Sequence, residues 1–254
     1  MSPGSRPVRH VDLITRLAVA AIAGGAVLYV LRFVATGGEI GHRFLVLNTV
    51  LAAIPLVAAV ALVKKRRRRL EAIALGLVWL AFLPNAPYLV TDLKHLPEPG
   101  GAIYWFDLVL ISTFGMIGLL LGSASIYLVH DAARGRGGIG RGWLLVAAII
   151  PLVGIGVSLG RFARWHTWDL LLAPQLILGD VLGGVIDPLG HQKELAVAIA
   201  MAWLVAGAYL VFFALIEARP GSGAAGAIHR HPEPPTHGRG VGSSQWSSHD
   251  DSGR

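Results

Sequence analysis

The chain has 254 residues, of which 54% are hydrophobic and only 15% charged, with a mean hydropathy of +0.61. A water-soluble domain is about a quarter charged, and here the deficit falls in long apolar runs, which excludes an ordinary soluble domain. The formal net charge of +7 sits largely on arginines that flank those runs, so it reports loop topology rather than nucleic-acid binding. With no cysteine, disulfides, thiolate metal ligands and thiol nucleophiles are excluded.

A membrane-spanning helix takes roughly 20 mostly apolar residues. The first such segment is 13–35, behind Arg6, Arg9 and Arg16. It could pass for a signal-peptide core, but its A-x-A pattern lies inside the apolar stretch. An uncleaved first span is predicted, with residues 1–12 as a cytoplasmic N-terminus. The second span is 44–63.

The third span, 70–90, is interrupted at Pro84-Asn85-Ala86-Pro87. The helix from Leu70 to Leu83 rises about 21 Å, against a hydrocarbon core of about 30 Å, so it meets Pro84 before leaving the membrane. Pro84 has no N–H for Leu80, and Pro87 has none for Leu83. Lipid cannot satisfy the freed carbonyls, so the break is expected under protein cover or beside a wet cavity. Asn85 is expected to cap a restarted helix. On that helix Tyr88, Asp92 and His95 share one face by i, i+4 and i, i+3 spacing, opposite Leu89, Leu93 and Leu96.

Spans four and five are predicted at 102–129 and 142–160. Asp107 lies about one turn inside the fourth, where a charge demands a partner, and Arg161 or Arg164 is the expected one. Beyond the fifth span, Arg161, Arg164, Trp165, Trp168 and Asp169 fall at helical spacings. That pattern suits an aromatic belt with snorkelling arginines, or a site for an anionic headgroup, phosphate or sugar. Asp92-x-x-His95 and His166-x-x-Asp169 could together offer two nitrogens and two oxygens to zinc. So short a pattern recurs by chance, and neither a metal nor a cofactor is expected. Ser123, Ser125 and Ser158 read as packing residues, and Gly118-x-x-x-Gly122 and Gly156-x-x-x-Gly160 as close helix contacts.

The run 170–189 carries Pro174, Asp180, Gly183, Gly184, Asp187 and Pro188. It is read as a helix lying in the outer interface, with a seventh span as its rival. The sixth span is 195–216. From 219 to 254 the chain is Gly, Ser, Pro and His with almost no aliphatics, and a disordered cytoplasmic tail is predicted. Residues 13–218 then form a single polytopic membrane domain. With the N-terminus inside, 16 of the 22 Lys and Arg residues lie on the inner side, which gives N-in and C-in. The basic run from Lys64 to Arg69 is expected to touch anionic lipid, and no nucleic-acid partner is expected.

Three stretches, "FLPNAPYLVTDLKHL", "WFDLVLISTFGMIGLLLGSASIYLV" and "LGRFARWHTWDLL", resemble the bacterial membrane proteins grouped as domain of unknown function family 1361. The resemblance runs from about Arg43 to Leu215. It implies a family polar pattern at Asn85, Tyr88, Asp92, His95, Asp107, Arg161, Arg164, Trp168 and Asp169. His166 departs from it, standing where the family pattern has Asn, which weakens the zinc reading. The resemblance supplies a family and not a mechanism.

The expectation is an all-α integral membrane protein of the bacterial cytoplasmic membrane, with six transmembrane helices, the third broken, and one interfacial helix. Those nine polar residues are its candidate ligand-binding set. The favoured function is a binding or transport-like pocket for a small anion or lipid headgroup. The rivals are a membrane-embedded enzyme using Asp92 or His95 on an outer-leaflet substrate, and a structural or assembly subunit. No spacing specifies a reaction.

Overall fold

The structure, a computed structural model, describes residues 6–38, 41–64, 68–162, 175–176, 179, 183, 187 and 190–218. The chain divides into two compact units, Met1–Ile216 and Glu217–Arg254. Only Glu217 and Ala218 of the second are described, so the expected disorder of 219–254 lies outside the described residues, as does most of the run 170–189.

The described residues are helical throughout, with short connections. Helices α1 (Arg6–Ala35) and α2 (Arg43–Lys64) are followed by α3 (Arg69–Phe82) and the single turn α4 (Asn85–Tyr88). A 3₁₀ helix, Leu89–His95, continues directly from α4. Helix α5 (Gly101–Phe162) and helix α6 (Gln192–Glu217) complete the order. Five helical stretches are long and apolar enough to cross a membrane: His10–Ala35, Arg43–Lys64, Arg69–His95, Gly101–Phe162 and Gln192–Glu217.

At about 1.5 Å per residue, the 62 residues of α5 would extend some 93 Å, three times a bilayer core of about 30 Å. The helix bends at Gly138, whose φ of 82° and ψ of 173° lie outside the helical region and suit a residue without Cβ. Its two arms lie side by side. Leu119 of the first and Val153 of the second line one small apolar cavity with Leu83 and Val205. Beside the bend, buried Gly142 sits against the His130 ring, which an added Cβ would meet at 2.5 Å.

Contacts between helix ends fix their directions. At one end, Lys64 Nζ lies 4.0 Å from Asp12 Oδ1, and His10 packs edge-on against Tyr127. Here His130, fully buried, is hydrogen-bonded through Nδ1 to the Tyr209 hydroxyl and packs with Trp143 and Phe213. At the other end, Ser158 donates to the Glu194 carbonyl at 2.8 Å, so α6 runs antiparallel to the second arm of α5. Large aliphatic side chains face outward along the helices, among them Val34, Val57, Met116 and Leu144. An apolar surface of that extent belongs against lipid rather than water.

The expected cover over the break at Pro84 is present. Leu83, Ala86, Pro87 and Leu89 are all buried. They lie in a groove made by glycines of α5. A Cβ on Gly118 would stand 2.2 Å from the Ala86 carbonyl oxygen, and one on Gly122 would meet Ala86 Cβ at 3.1 Å. From the second arm, a Cβ on Gly156 would meet Pro84 Cγ at 2.5 Å. The glycines expected to mediate close contact therefore do so, but Gly118, Gly122 and Gly156 receive the irregular turn rather than a straight helix. Ser125 and Ser158 are buried with protein hydrogen bonds, in keeping with packing roles.

Candidate functional site

The polar residues of interest gather at the end of the bundle where α1 finishes and α2 and α5 begin. The break delivers the first of them. The N-cap position of the restarted turn is Pro84, and Asn85 is the first residue of the turn. Its Nδ2 donates backwards to the Phe82 carbonyl at 3.1 Å, while the Ala86 N–H takes the Leu83 carbonyl at 3.2 Å. The expected N-cap is thus corrected. With prolines at 84 and 87 the pressing need is for donors to orphaned carbonyls of α3, and an amide NH₂ can supply one. Asn85→Asp, which keeps the shape but loses the donor, is expected to cost about 1–3 kcal/mol, read as a lowered Tm of the purified protein.

From Leu89 the chain winds as 3₁₀ rather than α. The β-branched pair Val90-Thr91 is poorly suited to an α-helix. The Thr91 hydroxyl bonds back to the Tyr88 carbonyl, three residues earlier, at 2.6 Å. In a 3₁₀ helix residues i and i+3 eclipse, so Asp92 and His95 are aligned, as expected, while Tyr88 turns toward another partner.

Asp92 is 1% exposed. Its Oδ2 accepts from Asn48 Nδ2 at 2.8 Å, and its Oδ1 faces His95 Nδ1 at 3.9 Å. The His95 Nδ1 also lies 3.3 Å from the Asp92 carbonyl oxygen. The His95 side chain is 40% exposed, and its ring leans on Phe44 with centroids 4.5 Å apart. Phe44 in turn meets the His42 ring edge-on at 5.6 Å.

His42 leads to the second carboxylate. Its Nε2 is 3.1 Å from Asp107 Oδ2, a charge contact without hydrogen-bond alignment. Asp107, 2% exposed, accepts from Arg32 Nε at 2.8 Å and more weakly from Arg32 Nη2 at 3.4 Å. The partner in the structure is Arg32 and not Arg161, while Arg164 lies outside the described residues. Arg32 also lies in an apolar span, so two buried charges neutralise each other across α1 and α5. Its guanidinium rests on Gly41, where a Cβ would stand 2.6 Å from Nη1, and the Tyr29 hydroxyl holds the Gly41 carbonyl at 2.7 Å. His42 has a positive φ of 55°, an uncommon conformation in which histidine is several-fold enriched.

Arg161, half-buried at the end of α5, donates to the Thr91 carbonyl and to the Tyr88 hydroxyl at 3.3 Å. Its guanidinium also lies 5.3 Å from the centre of the Tyr88 ring. So Asn85, Tyr88, Asp92, His95, Asp107 and Arg161 come to one end of the bundle. Arg164, Trp168 and Asp169, with Trp165 and His166, lie outside the described residues. No group of three metal-ligating side chains occurs among the described residues.

Sequence reasoning missed Arg32, His42, Phe44 and Asn48. A signal existed for two of them: Arg32 and Asn48 each interrupt an apolar span, as Asp107 does. Nothing local marks His42 or Phe44.

An all-helical chain with buried, mutually paired charges and aliphatic side chains on its outside has the architecture of a membrane protein. Residues 47–213 match the family model described as Protein of unknown function (DUF1361), and the chain belongs to that family. Arg32, His42 and Phe44 precede the matched region, so the site draws on both it and the N-terminal helix. No curated protein and no solved structure matches the chain.

Proposed function

We propose that this is a six-span protein of the bacterial cytoplasmic membrane, N-in and C-in, whose outer end binds an anionic group at headgroup level. The six spans count the two arms of α5 separately. The third span ends at the break, and 170–189 lies in the interface. The observation that carries the binding reading is the sorting of charge by depth. Both carboxylates, Asp92 and Asp107, are buried and already held by protein donors. Exposed around them are His95, Lys94 and Arg43, with Arg161 half-buried behind and one exposed carboxylate, Glu98, three residues beyond His95. A ligand arriving from outside meets more cations than carboxylates, which favours an anion. Asp107 leaves the ligand set for a structural role with Arg32. Arg164, Trp168 and Asp169 remain in it through sequence spacing alone. The inner basic run from Lys64 to Arg69 serves as an anionic-lipid anchor.

The test is thermal stability and native mass spectrometry of the purified protein in nanodiscs. One arm uses phosphatidylglycerol, the other phosphatidylcholine with added sulfate. A ligand at a hundredfold excess over its Kd stabilises by about 2.7 kcal/mol. That gain is expected in at least one arm and is expected to disappear in the double variant Lys94→Ala, His95→Ala. An equal response in the double variant would overturn the site. Reporters inserted in the basic run and beside Glu98 are expected on opposite sides of the membrane, and finding both on one side would overturn the orientation.

A further inference from the structure

The surroundings of His95 assign different tasks to its two ring nitrogens. Among the described residues Nδ1 faces two acceptors, the Asp92 carboxylate at 3.9 Å and the Asp92 carbonyl oxygen at 3.3 Å. With Nδ1 turned to these acceptors, Nε2 is the ring nitrogen left to face a ligand. The ring is fixed from one side by Phe44, and the side chain is 40% exposed. In the neutral state Nε2 offers a lone pair, which repels an anion. In the protonated state it offers an N–H and a full charge, with the Asp92 carboxylate behind it.

We propose that anion binding at this end is coupled to protonation of His95, so that the site takes up one proton with its ligand. This rests on the anion-binding reading above and adds its regulation. By linkage the coupling is reciprocal: protonation tightens the anion, and the anion favours protonation. Histidine is the side chain whose charge ordinarily changes between about pH 5 and 8, which sets the range to test.

The charged groups around His95 are compatible with this assignment. On its own stretch these are Asp92, exposed Lys94 and exposed Glu98. Before and within α2 they are His42 and Arg43, with the uncharged Asn48 holding Asp92. On α5 they are Asp107, tied to Arg32 and His42, and Arg161, tied to Thr91 and Tyr88. Both aspartates accept hydrogen bonds from protein donors. The His42 Nε2 is turned to Asp107 rather than outward.

The experiment measures affinity between pH 5 and 8 in full-length protein in nanodiscs. The probes are sulfate in a phosphatidylcholine bilayer and, separately, phosphatidylglycerol. Both keep a constant charge over this range, so any slope belongs to the protein. Affinity is expected to fall up to about tenfold per pH unit on the alkaline side, the limit for one linked proton. The slope is expected to vanish in His95→Gln, whose ligand-free Tm should stay near that of the parent because the side chain is partly exposed. A slope with phosphatidylglycerol alone assigns the ligand as a headgroup, and a slope with sulfate alone assigns a free anion. Binding of equal strength at pH 5 and 8, or an unchanged slope in His95→Gln, overturns the coupling and leaves the anion site standing. Absence of binding at every pH overturns both.

Discussion

Arg32→Ala is expected to be the most damaging single substitution at the polar end of the bundle, costing about 3–5 kcal/mol. The basis is asymmetric. Asp107 is 2% exposed, and Arg32 supplies both guanidinium hydrogen bonds it receives. Removing Arg32 leaves a carboxylate in a low-dielectric interior with only the poorly aligned His42 contact. Most of the cost is that stranded charge rather than the value of the pair itself. Arg32→Lys is expected to recover only part of the loss, because an ammonium cannot reproduce the fork of Nε and Nη2. The double variant Arg32→Met, Asp107→Leu should be milder than either single change, since it removes both charges and keeps apolar volume. Thermal denaturation of all four proteins in one detergent checks this. If Arg32→Ala melts with the parent, the pair does not hold the fold, and Asp107 returns to the candidate ligand set.

The second large effect is expected at Gly118. A Cβ there would stand 2.2 Å from the Ala86 carbonyl oxygen and about 3 Å from the Leu89 side chain, at 3.0 and 3.1 Å from two of its carbons. No rotamer relieves a clash with backbone, so α5 and the Pro84–Pro87 turn would have to separate. Gly118→Ala is expected to cost about 3 kcal/mol, the upper part of the range for overpacking. Gly24→Ala is the control. It is also helical, nothing lies within 4 Å of its added Cβ, and it should be neutral or gain up to about 1 kcal/mol from helix propensity. The Gly118 change should also weaken anion binding, because the displaced turn carries Asp92 and His95. Equal Tm values for Gly118→Ala and Gly24→Ala would show that the turn is not wedged into α5.

Several features were legible from residue order because they depend on local chemistry. Runs of apolar residues demand helices that satisfy their own backbone. Two prolines around one asparagine demand a break, and α3 ends at Phe82, two residues before Pro84. The i, i+3 spacing of Asp92 and His95 aligns them in either an α or a 3₁₀ winding, so their pairing survived the change from one to the other. The glycines at 118, 122 and 156 announced close approach, since a missing side chain is visible in sequence while the group that fills the space is not.

Tertiary structure decided the partners. Arg32 and Asp107 are 75 residues apart, and Asn48 and Asp92 are 44 apart. No spacing rule spans such distances, because which helix faces which depends on the packing of all of them. Asp107 needed a cation by Born and Coulomb reasoning alone, yet Arg32, Arg161 and Arg164 all met that requirement on paper. The folded chain placed Arg32 beside it and sent Arg161 to Thr91 and Tyr88. Sequence by itself therefore determined a helical membrane protein whose third apolar segment carries Asp92 and His95. Only the packing of α1 and α2 against α5 determined that both carboxylates lie inward and paired.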